Sequence, residues 1–183
     1  MVETKANIEF QMPNLLLIAG NGRNVGKTFF ACKVIEKLSA HTKVCAIKIS
    51  SHFHPFVQKD VLIQNKRFVV LEEKHITAKD SSRMLQAGAE RVFFVMAKQE
   101  HLYETFRHLE NYLPDHAIVC ESGGLHQILK PGVFFFVNQT GKEIQKKHHL
   151  NYSPVIVTSN GKEIDFDINH INFINNKFTL NNE

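Results

Sequence analysis

Cysteine is scarce in this 183-residue chain, and long apolar runs are missing. The three cysteines, Cys32, Cys45 and Cys120, are odd in number, widely separated and without a CxxC pair. This pattern favours a reducing compartment over a disulfide framework. A transmembrane helix needs about 20 consecutive apolar residues, and no run approaches that length. Because Glu3 and Glu9 interrupt the first residues, we expect no signal peptide. We therefore expect a cytoplasmic protein with no membrane partner.

Runs of like charge are missing as well. The chain has 22 Lys and Arg against 18 Asp and Glu, a net charge of +4 that is spread along the sequence. We therefore expect no nucleic-acid partner, because nucleic-acid binding usually requires a clustered basic patch. A mildly basic chain nevertheless suits an anionic small ligand. A hydrophobic fraction of 43% in a chain of this length fits a single domain, residues 1–183, with a substantial core.

A glycine-bearing loop near the amino terminus gives the clearest chemical signal. Residues 15–28 read LLLIAGNGRNVGKT: an apolar run, a loop, and Lys-Thr at the start of a helix-forming segment. In a P-loop, backbone N–H groups cradle phosphates, the Lys reaches the β and γ phosphates, and the Thr hydroxyl ligates Mg²⁺. The motif G-x-x-x-x-G-K-[ST] requires Gly where this chain has Asn21, a residue that tolerates left-handed backbone. The alternative is a structural corner with a chance Gly-Lys-Thr. The residues predicted to bind a nucleotide are Asn21, Gly22, Arg23, Asn24, Val25, Gly26, Lys27, Thr28, Phe29 and Asn138.

Strands and helices alternate, which predicts a three-layer α/β P-loop NTPase fold with a mostly parallel sheet. The strands are predicted at about residues 14–19, 44–49, 91–96, 116–120 and 133–137, and the helices at about 27–40, 80–86 and 99–113. A hairpin insertion is expected at about 60–72, with Asn65 able to take a positive φ in its turn. A C-terminal β extension is expected at about 153–183, with a second hairpin turn at Asn160-Gly161. The last dozen residues are predicted to be a terminal edge strand or a loosely docked tail, and the first 13 an irregular or weakly paired lead-in.

Acidic residues near the predicted strand ends are the candidates for catalysis and metal binding. In open α/β sheets the ligand lies beyond the carboxyl ends of the strands. Glu121 follows one such strand, and Gly123 and Gly124 would leave room for a ligand. Its carboxylate could hold the Mg²⁺ shell or orient a water, or it could be a solvated turn residue. Asp80 could ligate Mg²⁺ or cap its helix. The predicted catalytic residues are Lys27 and Glu121, and the predicted Mg²⁺ set is Thr28, Asp80 and Glu121.

Other polar residues suggest a second ligand or a base contact. The possible second-substrate residues are Lys48, His52, His54 and Arg83. Two histidines would need a third ligand to make a metal site, and a helix arginine is usually a surface residue. Asn138 follows a predicted strand and could bind a base edge or occupy a turn. No Asn-Lys-x-Asp is present, so the base is left open between GTP and ATP. His148-His149 is predicted to lie on a solvated face.

Three stretches together resemble the MobB family, P-loop proteins of molybdopterin-guanine dinucleotide biosynthesis. They are residues 21–28 (NGRNVGKT), 44–54 (VCAIKISSHFH) and 79–89 (KDSSRMLQAGA). Their order and spacing agree with the family from about residue 13 to 124, and the third stretch is one that ordinary P-loop proteins lack. The resemblance implies a GTP-binding protein, usually dimeric, that works beside the enzyme attaching GMP to molybdopterin. It supports Lys27 and Thr28 at the phosphates and Mg²⁺, with Asp80 and Glu121 near the metal.

Departures from the family keep other functions open. Phe29 replaces a frequent second Thr, the family's Val-Glu-Gly appears as Cys120-Glu-Ser-Gly123, and the segment after residue 150 has no counterpart. The leading hypothesis is a homodimeric, MobB-like protein with slow GTP hydrolysis and a molybdopterin guanylyltransferase-type partner. A second is a small-molecule kinase or ATP-dependent ligase, with Lys48, His52 and Asp80 lining the acceptor site. A third is a nucleotide-binding adaptor that no longer hydrolyses anything.

Overall fold

The computed structural model describes residues 8–76 and 80–181, and in this part of the chain an eight-stranded, mostly parallel sheet forms the centre of the fold. Its strands are β1 (Phe10–Gly20), β2 (Val44–Ser50), β3 (Val61–Gln64), β4 (Phe68–Glu72), β5 (Arg91–Ala97), β6 (Ala117–Glu121), β7 (Leu129–Gln139) and β8 (Val155–Ser159). They lie in the order β3-β4-β5-β2-β6-β1-β7-β8. The pairs β3–β4 and β4–β5 are antiparallel, whereas the neighbours from β5 to β8 run parallel. The predicted α/β class with a mostly parallel sheet is therefore confirmed.

Helices cover both faces of this sheet. They are α1 (Lys27–Ser39), α2 (Asp80–Gln86) and α3 (Leu102–Leu109). Leu16 and Ile18 of β1 belong to the apolar cluster that contains the buried residues of α1 and α2. Leu15 and Leu17 belong to the cluster that contains α3. Because side chains alternate along a strand, a strand covered on both faces reads as a continuous apolar run. This is why residues 15–19 look uniformly hydrophobic in the sequence.

The amino-terminal lead-in is more ordered than the sequence suggests. β1 begins at Phe10, which pairs with Leu129 of β7, and the register shifts between Met12 and Leu16. The expectation of an irregular or weakly paired lead-in is therefore wrong from Phe10 onward. Pro13 falls inside the register shift, and such irregularities are where strands tolerate proline. The lead-in is paired because β7 is itself longer than predicted.

The hairpin insertion is present as β3 and β4 at one edge of the sheet. Asn65 occupies its turn but does not take a positive φ. Its side-chain oxygen instead accepts hydrogen bonds from the backbone N–H groups of Arg67, at 2.8 Å, and Phe68, at 3.0 Å. An asparagine side chain can close a turn in this way without a left-handed backbone.

Only the middle of the segment predicted as a helix, residues 99–113, is α-helical. α3 is flanked by 3₁₀ turns at Gln99–His101 and Glu110–Tyr112. Its apolar face is the predicted one, because Leu102, Phe106 and Leu109 are all buried.

The carboxy-terminal segment differs most from expectation. β8 extends the main sheet in parallel beside β7, and after the turn at Asn160-Gly161 the chain returns for a single bridge, Ser159 to Ile164. The hairpin turn predicted at Asn160-Gly161 is therefore present, although with a single antiparallel bridge, whereas the parallel pairing of β8 with β7 along its other edge was not predicted. A separate antiparallel pair follows, β9 (Ile171–Ile174) and β10 (Lys177–Leu180). Asn175 and Asn176 join them with φ of 51° and 56°, the geometry of a type I′ turn.

This terminal hairpin is docked onto the core. Ile171 and Phe178 are 1% and 2% exposed and belong to the apolar cluster of α1. Residues 171–180 are therefore neither a loosely docked tail nor an edge strand of the main sheet.

A buried histidine pair lies on the opposite face of the sheet. His126 and His149 are each 1% exposed, their ring centroids are 4.3 Å apart, and Phe134 and Phe136 contact them. The prediction that His148-His149 is solvated is therefore wrong for His149, although His148 is exposed. A polar, basic local sequence gave no sign that one imidazole packs against phenylalanines of β7.

The cysteines are packing residues. Cys32, Cys45 and Cys120 are free and buried. Burial raises the pKa of the Cys45 thiol to about 12 and that of the Cys120 thiol well above its ordinary value, so neither provides a reactive thiolate. No helix within the described residues has the length and apolarity needed to cross a membrane.

Candidate functional site

The carboxyl ends of β1, β2 and β6 meet the start of α1 around one cavity of about 730 Å³. Most of the residues predicted from the sequence line it: Arg23, Asn24, Gly26, Lys27, Thr28, Phe29, Lys48, His52, His54, Asp80, Arg83 and Glu121. Gly161, in the turn after β8, also lines it and was not predicted, because only the pairing of β8 with β7 brings that turn here. Asn21, Gly22, Val25 and Asn138 are not part of this wall.

The glycine loop, residues 20–26, enters α1 through a left-handed residue. Gly26 has a φ of 97° and occupies the N-cap position, where no side chain caps the helix. A Cβ at Gly26 would collide with the side chain of Ser159, so both the backbone conformation and the packing require glycine. The uncapped first turn presents N–H groups at the cavity, and a helix N-terminus of this kind favours anions.

Lys27 folds back over the glycine loop. Its Nζ donates a hydrogen bond to the Gly22 carbonyl oxygen at 2.5 Å. Its stem packs on Gly20, where a Cβ would lie 2.9 Å from Lys27 Cδ and 2.8 Å from the Val137 carbonyl oxygen. Burial lowers the pKa of Lys27, and the charge of Glu121 acts in the opposite direction. A partly desolvated ammonium held by one carbonyl can exchange that contact for a phosphate oxygen.

Three polar side chains contact one another beneath the loop. Thr28 Oγ1 donates to Glu121 Oε2 at 2.7 Å, and Lys48 Nζ donates to the same carboxylate oxygen at 2.8 Å and to Thr28 Oγ1 at 3.0 Å. Thr28 and Glu121 are 9% and 7% exposed. A buried charge is costly unless it is paired and hydrogen-bonded, and here both conditions are met.

Strand register explains why these residues meet. β6 lies beside β1 and also beside β2, where Lys48 is directly opposite Glu121. Along each strand, alternate residues such as Ala46 and Val119 pack toward α1. Lys48 and Glu121 continue these rows by two residues, to the level at which α1 begins, and so they project toward Thr28.

Glu121 is the last residue of a buried strand, and its burial excludes the alternative of a solvated turn carboxylate. The two glycines that follow differ in their surroundings. A Cβ at Gly123 would meet nothing within 4 Å, whereas Gly124 packs against the side chain of Gln99. Only Gly123 therefore leaves the room for a ligand that was expected of both.

Asp80 and Arg83 form the outer side of the site. Asp80 Oδ2 lies 3.5 Å from Lys48 Nζ, and Asp80 Oδ1 lies 3.5 Å from Arg83 Nη1. Both side chains are exposed, at 55% and 47%. Asp80 is the first residue of α2, and Lys79, which begins the third stretch of the MobB resemblance, lies outside the described residues. Asp80 is therefore placed to contribute a carboxylate to the site from a second helix.

Asn21 and Asn138 hold a neighbouring segment in place. Asn21 Nδ2 donates to Asn138 Oδ1 at 2.8 Å and to the Glu143 carbonyl oxygen at 2.7 Å, and Asn21 Oδ1 accepts from the Gln145 backbone N–H at 2.8 Å. Asn138 Nδ2 donates to the Lys142 carbonyl oxygen at 2.6 Å. The two amides tie the segment after β7 to the start of the glycine loop. Contact between Asn138 and a base stays a prediction.

The histidine loop after β2 does not assemble a metal centre. His52 Nε2 lies 2.6 Å from Arg23 Nη2, the guanidinium being the donor. The ring of His54 lies near that of Phe94, with centroids 6.3 Å apart. Nowhere in residues 8–76 and 80–181 do three or more His, Cys, Asp or Glu residues come together to hold a metal ion. A metal ion in the cavity would therefore need ligand atoms from a bound molecule or water.

Comparison of the chain with protein-family models, curated proteins and solved structures returned no match. What the site binds must therefore be inferred from its own residues.

Proposed function

We propose that this protein binds a nucleoside triphosphate with Mg²⁺ at a P-loop formed by residues 20–28. The observation that carries the proposal is the meeting of three features at one cavity. They are the uncapped N-terminus of α1, the Lys27 ammonium over the glycine loop, and the buried hydrogen bond between Thr28 and Glu121. The helix N-terminus and the Lys27 ammonium favour phosphate binding. The Thr28 and Glu121 oxygens can contact a hard cation bound to those phosphates.

The oxygen donors in the site fit Mg²⁺. Thr28 offers a hydroxyl and Glu121 and Asp80 offer carboxylates, all of them hydrogen-bonded or ion-paired to the single ammonium of Lys48. A cation is thus already held among these oxygens. Mg²⁺ prefers oxygen ligands and retains several waters, so phosphate oxygens and water would complete its coordination. When bound, the ion would neutralise charge on the phosphates.

The chain's own residues would then have distinct tasks. The N–H groups of the loop and of α1 would bind the phosphates, and Lys27 would leave the Gly22 carbonyl for a β or γ phosphate oxygen. Glu121 would orient a water of the ion's shell. We propose GTP as the nucleotide, with slow hydrolysis, in a MobB-like role beside a molybdopterin guanylyltransferase-type enzyme. ATP stays the alternative.

We also propose that the protein forms a homodimer. β3 and β8 are the outermost strands of the sheet. The returning segment pairs with β8 at its end, Thr158 and Ser159, and Ile156 earlier in β8 is 48% exposed. An uncovered strand edge can pair with a second copy. Light scattering at micromolar concentration tests this, and a monomer both with and without nucleotide would reject it.

Calorimetric titration with GTP and ATP, each with Mg²⁺, tests the nucleotide site. Lys27→Ala should weaken binding at least about tenfold, because about 1.4 kcal/mol of phosphate interaction is lost. Lys33→Ala is the matched control, since Lys33 lies on the same helix and pairs with Glu36 on its exposed face. An unchanged affinity in the Lys27 variant, or no nucleotide binding by the wild type, rejects the assignment.

A kinase or ligase is the second candidate, and one observation favours it. Arg23, His52 and Arg83 line the same cavity as Lys27 and could bind an anionic acceptor beside the terminal phosphate. Product analysis separates the two functions. A kinase forms a phosphorylated small molecule, whereas the MobB-like function releases only the nucleoside diphosphate and phosphate.

A further inference from the structure

Lys48 occupies the centre of the proposed cation site. Its ammonium lies 3.0 Å from Thr28 Oγ1, 2.8 Å from Glu121 Oε2 and 3.5 Å from Asp80 Oδ2. These are the oxygen donors that the sequence assigns to Mg²⁺. One ammonium therefore contacts every side chain expected to contact the metal.

The two lysines of the cavity have separate partners. Lys27 Nζ is bound to the Gly22 carbonyl oxygen of the glycine loop, where a phosphate is expected. Lys48 reaches the carboxylates from β2, and its side chain is only 15% exposed. Its position follows from the parallel register that places it opposite Glu121. Lys48 is thus fixed to the carboxylates by the fold.

We propose that Lys48 is an internal counter-ion, which holds the metal-binding oxygens when the site is empty and must move away when a divalent cation binds. An ammonium and a divalent ion cannot share these oxygens, because like charges at hydrogen-bonding distance repel strongly where the surroundings are partly desolvated. The inference rests on the proposed function in that the displaced ion is the one a nucleotide would bring.

The consequence is low affinity of the empty site for metal alone. A free divalent ion has to displace Lys48 and leave its ammonium without an anion. A metal–nucleotide complex brings phosphate oxygens that can accept the displaced ammonium in the same cavity. Lys48 therefore couples metal binding to nucleotide binding.

Titration with Mn²⁺ in the absence of nucleotide tests this directly. Mn²⁺ shares the preference of Mg²⁺ for oxygen ligands, and the free ion can be counted by electron paramagnetic resonance. Lys48→Met removes the ammonium and keeps the length of the side chain. It should bind Mn²⁺ at least about tenfold more tightly than the wild type, because charge pairs at this distance are worth that much or more.

Lys43→Met is the matched control. Lys43 lies just before β2 and pairs with Glu90 at 2.6 Å on the surface. Its replacement removes the same charge from the chain without touching the site, so its Mn²⁺ affinity should stay that of the wild type. The double variant Lys48→Met/Glu121→Gln should lose the gain, because the carboxylate that receives the ion is gone.

A second variant, Lys48→Gln, keeps the proposal testable if Lys48→Met does not fold. Lys48→Gln keeps N–H donors for Glu121 and Thr28 but carries no charge, and it should also bind Mn²⁺ more tightly than the wild type. If either variant folds only with Mn²⁺, as seen by circular dichroism, the metal is replacing the missing charge and the proposal is supported. Wild-type or weaker Mn²⁺ affinity in both variants, or their failure to fold even with Mn²⁺, overturns it.

These outcomes are separable from those of the nucleotide titrations. A wild type that binds no nucleotide, together with Lys48 variants that gain Mn²⁺ affinity, rejects the proposed function and keeps the role of Lys48. A wild type that binds nucleotide, together with Lys48 variants that gain no Mn²⁺ affinity, keeps the proposed function and rejects the role of Lys48.

Discussion

The molecule buries polar side chains in two contrasting places. At the carboxyl ends of β2 and β6, Thr28, Lys48 and Glu121 satisfy one another at 2.7–3.0 Å. On the other face of the sheet, His126 and His149 lie against aromatic rings. Neither ring nitrogen of His126, nor Nδ1 of His149, has a hydrogen-bond partner among the described residues.

The two clusters of buried polar side chains are compatible with the fold for different reasons. A carboxylate and an ammonium remain charged at neutral pH, so they can be buried only as a hydrogen-bonded pair. An imidazole can instead give up its proton and pack as a flat ring. Burial lowers the pKa of His126 to about 3 and that of His149 to about 4. Smaller contributions come from His149 and His148 for the pKa of His126, and from His148 and Lys146 for that of His149. The cluster of Thr28, Lys48 and Glu121 is therefore suited to contact a charged ligand, whereas the pair of His126 and His149 stays neutral and excludes charge.

Lowering the pH should destabilise the protein through the buried pair His126 and His149, and this is the largest expected effect. The folded pKa values lie below the unfolded value of about 6.5, so unfolding takes up protons below that pH. Stability is fully present above about pH 6.5 and falls by about 1.4 kcal/mol per pH unit for each imidazole that stays neutral, by no more than about 4 kcal/mol at pH 5. Urea denaturation between pH 5 and 8 measures this.

The double variant His126→Phe/His149→Phe should flatten that pH dependence. His41→Gln is the matched control, because His41 is exposed just after α1, on the other face of the sheet, and should leave the slope unchanged. A double variant with the wild-type slope would place the acid sensitivity elsewhere, among the carboxylates.

Breaking the charged cluster should have the next largest effect on stability. Glu121→Leu removes the closest anionic partner of Lys48 and leaves its mostly buried ammonium with only the longer contact, at 3.5 Å, to the exposed Asp80 carboxylate, at a cost of about 3 kcal/mol. Lys48→Met/Glu121→Leu removes both charges and should recover most of that loss. If the double variant is no more stable than the single one, the two residues are not an energetic pair.

Asn138→Ala tests whether Asn138 only supports the glycine loop or also contacts the nucleotide. Because Asn138 hydrogen-bonds Asn21 and Lys142, its loss should lower stability by about 1 to 2 kcal/mol. The ratio of GTP to ATP affinity should not change. A loss of nucleotide preference would show that Asn138 contacts the base after all.

His149→Phe alone should have the smallest effect at neutral pH. It replaces a buried imidazole, whose Nδ1 has no hydrogen-bond partner among the described residues, by an apolar ring in contact with Phe136, so stability should stay within about 1 kcal/mol of the wild type or rise. A larger loss would indicate that His149 has a partner that the packing does not reveal.

Local sequence patterns predict the parts of this fold that depend on neighbouring residues. The apolar runs of β1, β2, β5 and β6, and the hairpin of β3 and β4, are confirmed because strand periodicity and turn residues are local signals. The strand, glycine loop and helix around Lys27 follow from one contiguous motif. These features need no knowledge of how distant segments pair.

The remaining features depend on contacts between distant residues. Lys48 meets Glu121 only because β2 and β6 are neighbours in a particular register. Asn21 meets Asn138 across 117 positions. His149 is buried by phenylalanines of β7, whereas its own neighbours read as a solvated segment. Periodicity carries no information about such pairings, and the parallel addition of β8 was missed for the same reason.

The proposed role of Glu121 is to position Mg²⁺ for a nucleotide held by Lys27 and Thr28. The most direct test is GTP turnover and binding measured against Mg²⁺ concentration for the wild type and Glu121→Gln, which keeps the size and removes the charge. For Glu121→Gln we expect weaker Mg²⁺ dependence and a turnover lowered at least about tenfold, which corresponds to about 1.4 kcal/mol of barrier. Superimposable curves from a wild type that does hydrolyse GTP would contradict it.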